Sequence, residues 1–273
     1  MKITRVTLTK EKLASLSERD RTLFLLLGNV TNELSILQKL LMMTRKGPPP
    51  SKMVDIVEAG QMMFFLRLLV GKVHEGGVLL QKRVNEDANF RERYGLDEKR
   101  RKDRSELRKE LSRVNRHFRR WGGLLNAIRD KLAFHSTDNE GLVEKSFARL
   151  STDEPWDFYL SPQTGNSFYY AAELVLSKSA IDLTHAGSAA AGGRATEEAG
   201  LVEMHESAIV AAGLLTHLFN ILMLEIVDKG VNEALEAEEV DVEGPRLDGF
   251  HLPFFFDMTG ISKFQDHDDN DER

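Results

Sequence analysis

The sequence lacks cysteine and contains little proline. With no cysteine among its 273 residues, disulfides, thiolate nucleophiles and cysteine-ligated metals are all excluded. Three of the seven prolines are consecutive, at 48–50, and long blocks such as 51–154 contain none. Since proline is the residue that most strongly interrupts helices, this distribution favours long helices.

Two membrane signals are also missing. The first residues, MKITRVTLTKEKL, lack the apolar centre of a signal peptide. The only long apolar run, 208–227, contains Thr216, His217, Asn220 and Glu225, which would be costly in lipid. We therefore expect a cytoplasmic protein without membrane contact, in which this run forms a buried helix.

Charge is unevenly distributed along the chain. The net charge is −6, but residues 233–273 contain 13 acidic and 3 basic residues, a net −10, so residues 1–232 carry −6 + 10 = +4. Neither half offers a recognisable cofactor motif. The tail residues His251 and His267 match no defined metal spacing, and no glycine-rich nucleotide fingerprint is present, so we expect no metal and no cofactor.

The first part of the chain predicts two long helices. Leucines and a valine recur every three or four residues between Ser17 and Lys46, and Ser51 can cap a second helix that extends to Arg83. Because the break between them is short, the two helices should pack antiparallel. Arg67 and Glu75 interrupt the apolar second helix, and we expect them to pair through neighbours or with the backbone.

A third helix, 98–121, is strongly basic. It contains 11 lysines and arginines against 4 acidic residues, a net +7, on faces other than the apolar one. Such a face is either simply solvated or a surface that attracts phosphate. If the face attracts phosphate, the residues that would contact it are Arg113, Arg116, Arg119 and Arg120.

After Gly122 and Gly123, the stretch LLNAIRDKLAFHST predicts a fourth helix that carries Arg129 and His135. On a regular helix, residues six apart lie roughly 120° out of phase and about 9 Å apart along the axis. They could meet through the long arginine side chain or across a partner chain. The alternative is a half-buried histidine and an arginine at the edge of an apolar stripe.

We therefore expect an all-α protein: a helical bundle with two long antiparallel helices, a basic third helix, a motif-bearing fourth and further C-terminal helices. A single helical domain should span 1–232, with a helical extension from 151, followed by an acidic, partly disordered tail over 233–273. Phe254–Phe256 should dock on the body, because three exposed phenylalanines would be sticky.

The string AIRDKLAFH, placed after a helical hairpin and a basic helix, resembles the HEPN superfamily (higher eukaryotes and prokaryotes nucleotide-binding domain). Arg129, Asp130 and His135 fit its pattern of an arginine, a polar residue and a histidine four to six residues after the arginine. The resemblance covers roughly residues 17–150.

The resemblance implies a homodimer in which both motifs face one cleft, and a metal-independent endoribonuclease, often a toxin or a defence or stress effector with an antitoxin or other regulatory partner. Histidine would move protons as general acid or base, and arginine would bind the phosphate, with Asp130 orienting one of them. The competing hypothesis is a catalytically inactive dimerisation, binding or scaffold protein. The acidic tail adds a further hypothesis, in which it covers the basic helix.

Overall fold

The computed structural model describes residues 2–44, 51–96, 105–130, 140–151, 153, 156, 159, 167–190, 197–231, 236–243 and 250–254. Within them the fold is all-helical apart from one small sheet, which confirms the predicted fold class. The helices are α1 (Lys10–Ser15), α2 (Glu18–Met43), α3 (Lys52–Leu80), α4 (Ala88–Arg93), α5 (Ser105–Ile128), α6 (Glu140–Phe147), α7 (Tyr170–Ala190) and α8 (Glu197–Gly230). The strands are β1 (Lys2–Thr7) and β2 (Glu236–Asp241).

The two long helices begin where the sequence predicts. The Ser17 side chain accepts a hydrogen bond from the Asp20 N–H and caps α2, and Ser51 accepts one from the Val54 N–H and caps α3. Lys72 pairs with Glu33 at 2.8 Å, and a Cβ at Gly76 would lie 3.3 Å from Val30. The later α3 residue, Gly76, thus contacts the earlier α2 residue, Val30. The two helices therefore run antiparallel, which confirms the predicted hairpin.

The basic helix does not end at Gly122 and Gly123, so the prediction of a separate fourth helix was wrong. Helix α5 continues to Ile128, and its buried positions keep one spacing throughout: Leu107, Val114, Leu125 and Ile128 are all buried. Each exposed helical glycine costs about 1 kcal/mol. Burying the two side chains beyond them contributes about 1.5–3 kcal/mol each, so the apolar stripe outweighs the glycines.

Helix α8 lies at the centre of the bundle and packs against α2, α3, α5 and α7. The segment Met204–Gly230 of this helix is long enough and apolar enough to cross a membrane. Leu215, Leu218, Phe219 and Leu222 of this helix are fully buried in the protein core. The apolar run is thus accounted for by packing within the bundle, which is consistent with a soluble protein.

The sheet joins the N-terminal residues to the first part of the acidic tail. β1 pairs antiparallel with β2, with Lys2 opposite Asp241 and Thr7 opposite Glu236. Two exposed ion pairs cross it, Lys2 with Glu239 at 2.9 Å and Arg5 with Glu238 at 3.0 Å. Part of the acidic tail therefore forms a strand, which the sequence analysis did not predict.

A second part of the tail docks on the helices. The Leu252 N–H donates to the Met43 carbonyl at 2.8 Å, and the Phe254 ring meets Phe168 edge-on with centroids 5.0 Å apart. His251 Nε2 lies 2.9 Å from the buried carboxylate of Glu58. Docking of Phe254 is confirmed, while Phe255 and Phe256 lie outside the described residues.

Candidate functional site

The predicted RNA-binding arginines are all exposed on α5. Arg113, Arg116, Arg119 and Arg120, which we call the α5 basic face, point to solvent. Over Ser105–Ile128 there are six basic and two acidic residues, a net +4. One of the acids, Glu110, lies 3.7 Å from Arg113. Because few carboxylates oppose it, this face can attract a polyanion.

Two of these arginines are held in defined positions. Arg120 lies over the Trp121 ring, 4.9 Å from its centroid, and the Arg119 Nε–H donates to the Asn115 carbonyl at 3.4 Å. Trp121 itself is only partly buried. An arginine beside a partly exposed aromatic ring is an arrangement that can bind phosphate and stack a base.

Nine residues after Arg120, the last residue of the α5 basic face, the chain continues past α5 in π-helical geometry at Arg129 and Asp130. Arg129 Nη1 donates to Asp130 Oδ1 at 2.6 Å, and the two side chains are 32% and 43% exposed. The Nε atom of Arg129 is buried without a partner in the described part of the chain. Part of the guanidinium therefore stays accessible to a phosphate, with its plane set by the neighbouring carboxylate.

Two contacts fix the direction of α5 relative to α3. Asn85, in the π-helical segment Gln81–Asn85 that continues α3, exchanges hydrogen bonds of 2.9 and 3.2 Å with Asn115, and a Cβ at Gly77 would collide with the Phe118 ring. The two helices are therefore antiparallel. Residues Arg129 and Asp130, which follow α5, are close enough to His74 in α3 for their charges to act on its pKa.

His74 is the functional candidate that the sequence analysis missed. Burial lowers the pKa of His74 below the usual histidine value, the Arg129 cation lowers it further, and the carboxylates of Asp130 and Glu75 oppose them. The imidazole is therefore neutral at pH 7 and can accept a proton. Nothing in the sequence pairs these residues, because their proximity depends on how α3 and α5 pack.

An ion-pair network lies on the same turn of α3. The Lys72 ammonium contacts Glu33 at 2.8 Å and Glu75 at 2.6 Å. Burial by itself lowers the pKa of Lys72, but the hydrogen bonds and charges of Glu33 and Glu75 outweigh it, so the net pKa is raised. Lys72 is thus a permanent cation that is already neutralised, and it leaves Arg129 as the accessible positive charge near His74.

The expected partners of Arg67 and Glu75 need correction. Glu75 pairs with Lys72, whereas Arg67 forms a bidentate pair with Glu173 of α7, with distances of 2.9 and 2.7 Å. Lys72 and Glu75 are three residues apart on one helix, so the sequence alone could pair them, whereas Arg67 and Glu173 are 106 residues apart. Arg67 therefore joins α3 to α7 and is not available to a site.

His135 lies outside the described residues, so its distance from Arg129 stays a prediction. Among the described residues, no group of three histidine, aspartate or glutamate side chains is arranged to hold a metal ion. The described tail carboxylates Glu238 and Glu239 pair with β1, so they do not serve as the cover for the α5 basic face that we considered.

Comparison with protein-family models, with curated proteins and with solved structures found no significant match to this chain.

Proposed function

We propose that the protein is a metal-independent endoribonuclease of the HEPN type, acting on single-stranded RNA. The observation that supports this most directly is the partly exposed guanidinium of Arg129 directly after the basic helix α5. Arg129 follows the end of basic helix α5, is partly exposed, is hydrogen-bonded to Asp130, and is close enough to His74 for its charge to lower the His74 pKa. Helix α5 thus supplies positive charge that can attract RNA, and Arg129 supplies a cation that can bind a phosphate; the proton acceptor of the proposed reaction is His135.

In the proposed reaction, His135 takes the proton of a ribose 2′-hydroxyl, and the resulting oxygen attacks the adjacent phosphorus. Arg129 stabilises the negative charge that builds on the non-bridging oxygens. The bond to the 5′-oxygen breaks, and this oxygen receives a proton from a protonated histidine, so the products are a 2′,3′-cyclic phosphate and a 5′-hydroxyl. Asp130 acts as a positioning residue for Arg129.

The proposal includes a homodimer in the cytoplasm. One chain offers one motif, and the reaction needs both a proton acceptor and a proton donor on opposite sides of the phosphate. A second copy of the chain would supply the second histidine. A role as a toxin or defence effector, with an antitoxin or other regulatory partner, is part of the same proposal.

The test is cleavage of single-stranded RNA by the purified full-length chain in the presence of EDTA. Wild-type protein should cleave and leave cyclic-phosphate ends, and His135→Ala should lower the rate about 100-fold or more. His217→Ala is the control, because His217 is exposed on α8, and it should cleave at the wild-type rate. Cleavage that survives in His135→Ala, or that requires a divalent metal, would contradict the proposal.

One observation favours a second candidate, an RNA-binding protein without catalysis. Arg129 already donates from Nη1 to Asp130 at 2.6 Å, and its Nε is buried, so fewer donors remain for a transition state. This candidate predicts that wild-type protein binds RNA with strong salt dependence but releases no cleavage product.

A further inference from the structure

The side of α2 that faces away from the core carries a regular row of exposed residues. Leu25, Asn29, Asn32 and Ile36 follow one another at steps of four, three and four, and all four are exposed. Leu25 and Ile36 are each 55% exposed. Because these steps keep side chains on one side of a helix, the four residues form a single line, which we call the α2 outer row.

The α2 outer row lies in a part of the helix with few charges. Between Thr22 and Met43 the two charged residues are Glu33 and Lys39, in a chain whose residues are 29% charged. Glu33 is already paired with Lys72 of α3 at 2.8 Å. The middle of the row therefore offers water two aliphatic and two amide side chains and no unpaired charge.

Further exposed leucines enlarge this uncharged surface. Leu26 is 40% exposed beside the row, and Leu224 of α8 is 54% exposed. Leu224 directly follows Met223, whose sulfur would lie 3.7 Å from a Cβ at Gly28, so this part of α8 runs beside α2. Single exposed leucines are common on soluble proteins, but apolar side chains grouped in one place are typical of a contact surface.

The α2 outer row has the same chemical order from either end. An aliphatic residue is followed by two amides and a second aliphatic residue, and the spacings four, three and four are symmetrical. A twofold interface needs such an order, because residue i contacts residue j of the other copy and j contacts i. If two α2 helices pack antiparallel about the point between Asn29 and Asn32, Leu25 lies opposite Ile36 of the second copy.

Charged residues at the two ends of the row fit the same arrangement. Glu18 and Lys39 are both exposed and continue the row at helical spacing, Glu18 by way of Thr22. In the antiparallel pair, Lys39 lies opposite Thr22 of the second copy and one helical turn from its Glu18, within reach of the long lysine side chain. Two ion pairs of opposite charge would therefore form at the rim.

The amides and the lack of charge favour a second copy over other occupants of this surface. Asn29 and Asn32 would be costly in a lipid bilayer, whereas an amide has both donors and an acceptor and can bond to another amide. Near a twofold axis a charge meets the same charge of its own copy, which is unfavourable. A surface for self-association must therefore be uncharged at its centre, as the α2 outer row is.

We propose that two copies of the chain pair through the α2 outer row, as an antiparallel contact between their α2 helices. This inference specifies the partner surface of the homodimer in the proposed function, and it rests on that function for the role of the dimer. Dimerisation itself can be measured without RNA.

The test is the mass of the full-length protein in solution, measured by sedimentation at micromolar concentration. The wild type should have twice the 30.9 kDa of one chain. Leu25→Lys and Ile36→Glu should each raise the dimer dissociation constant at least about 100-fold, because each places a charge against an aliphatic side chain. Both positions are exposed in the single chain, so helicity by circular dichroism should not change.

The double variant Leu25→Lys with Ile36→Glu tests the antiparallel order. Its two new charges have opposite sign and meet across the interface, so it should dimerise at least about tenfold more tightly than either single variant. Within one helix the two positions are about 16 Å apart, so this recovery cannot arise inside one chain. Phe147→Lys is the matched control, because Phe147 is 51% exposed on α6, which packs on α7; it should dimerise like the wild type.

Three results would overturn the proposal: a monomeric wild type, single variants that dimerise like the wild type, or a double variant no tighter than the single ones. A monomeric wild type that sediments with phosphatidylcholine vesicles would assign the surface to lipid instead. A wild type that dimerises through the α2 outer row but does not cleave RNA would contradict the nuclease and leave this interface intact. Cleavage by single variants that stay dimeric would contradict the interface and leave the nuclease intact.

Discussion

Two arginine–carboxylate pairs in this protein differ in almost every physical respect. Arg67 and Glu173 come from different helices, form two hydrogen bonds and are 5% and 17% exposed. Arg129 and Asp130 are adjacent in the chain, share one hydrogen bond and are 32% and 43% exposed. In the first pair both Nη atoms of the arginine donate to the carboxylate, whereas in the second pair one Nη atom donates and part of the guanidinium is exposed to solvent.

Arginine thus serves packing at position 67 and a proposed site at position 129. A buried bidentate pair holds two helices together, and removing one partner leaves an uncompensated charge in the protein interior, which lowers stability. A half-exposed pair between neighbours contributes little to stability, because water already solvates both groups. We therefore expect substitutions at Arg67 to act on folding and substitutions at Arg129 to act on RNA.

The largest expected effect on stability is that of Arg67→Ala. It leaves the Glu173 carboxylate without its cation, so the free energy of unfolding should fall by about 3–5 kcal/mol. Urea denaturation followed by circular dichroism measures this. The double variant Arg67→Met with Glu173→Leu removes both charges and should recover most of the loss. A loss below about 1 kcal/mol in the single variant would mean that the pair is no more than a surface contact.

A smaller effect concerns His74. In Arg129→Gln the cation that lowers the pKa of His74 is gone, so this pKa should rise, and NMR titration of the ring proton measures the shift. The unfolded chain binds this proton more readily than the folded chain, so His74 lowers stability as the pH falls below about 6.5. In Arg129→Gln, the free energy of unfolding should therefore fall less steeply as the pH is lowered.

His117 provides the internal reference for this titration. Burial lowers the pKa of His117, the hydrogen bond with Ser207 raises it, and Arg120 lowers it. Since Arg129 is not among these causes, the His117 resonance should titrate as in the wild type. If His74 also titrates unchanged in Arg129→Gln, then Arg129 does not lie beside it.

The sequence predicts the parts of the fold that depend on local signals. Ser17 and Ser51 cap the helices that were expected to begin there, and the spacing of Leu23, Leu27, Val30 and Leu34 matches the buried side of α2. Caps and apolar periodicity act over a few residues, so they can be read without knowledge of the tertiary structure.

The failures involve competing or long-range effects. The break expected at Gly122 was overridden by the apolar stripe that continues to Ile128. The pairing of Lys2 with Glu239 joins residues at opposite ends of the chain, and two short strands rich in charge give no local sign that they will meet. The proximity of His74 and Arg129 is also a long-range effect, because it depends on the antiparallel packing of α3 and α5.

The measurement that tests the central claim most directly is the rate at which Arg129→Ala cleaves single-stranded RNA in EDTA, compared with the wild type at equal helicity. We predict a fall of about 100-fold or more, with the free energy of unfolding changed by less than about 1 kcal/mol, since the pair with Asp130 is half exposed. An Arg129→Ala protein that cleaves at the wild-type rate, or one that loses cleavage only because it unfolds, would contradict the assignment of Arg129 to phosphate binding.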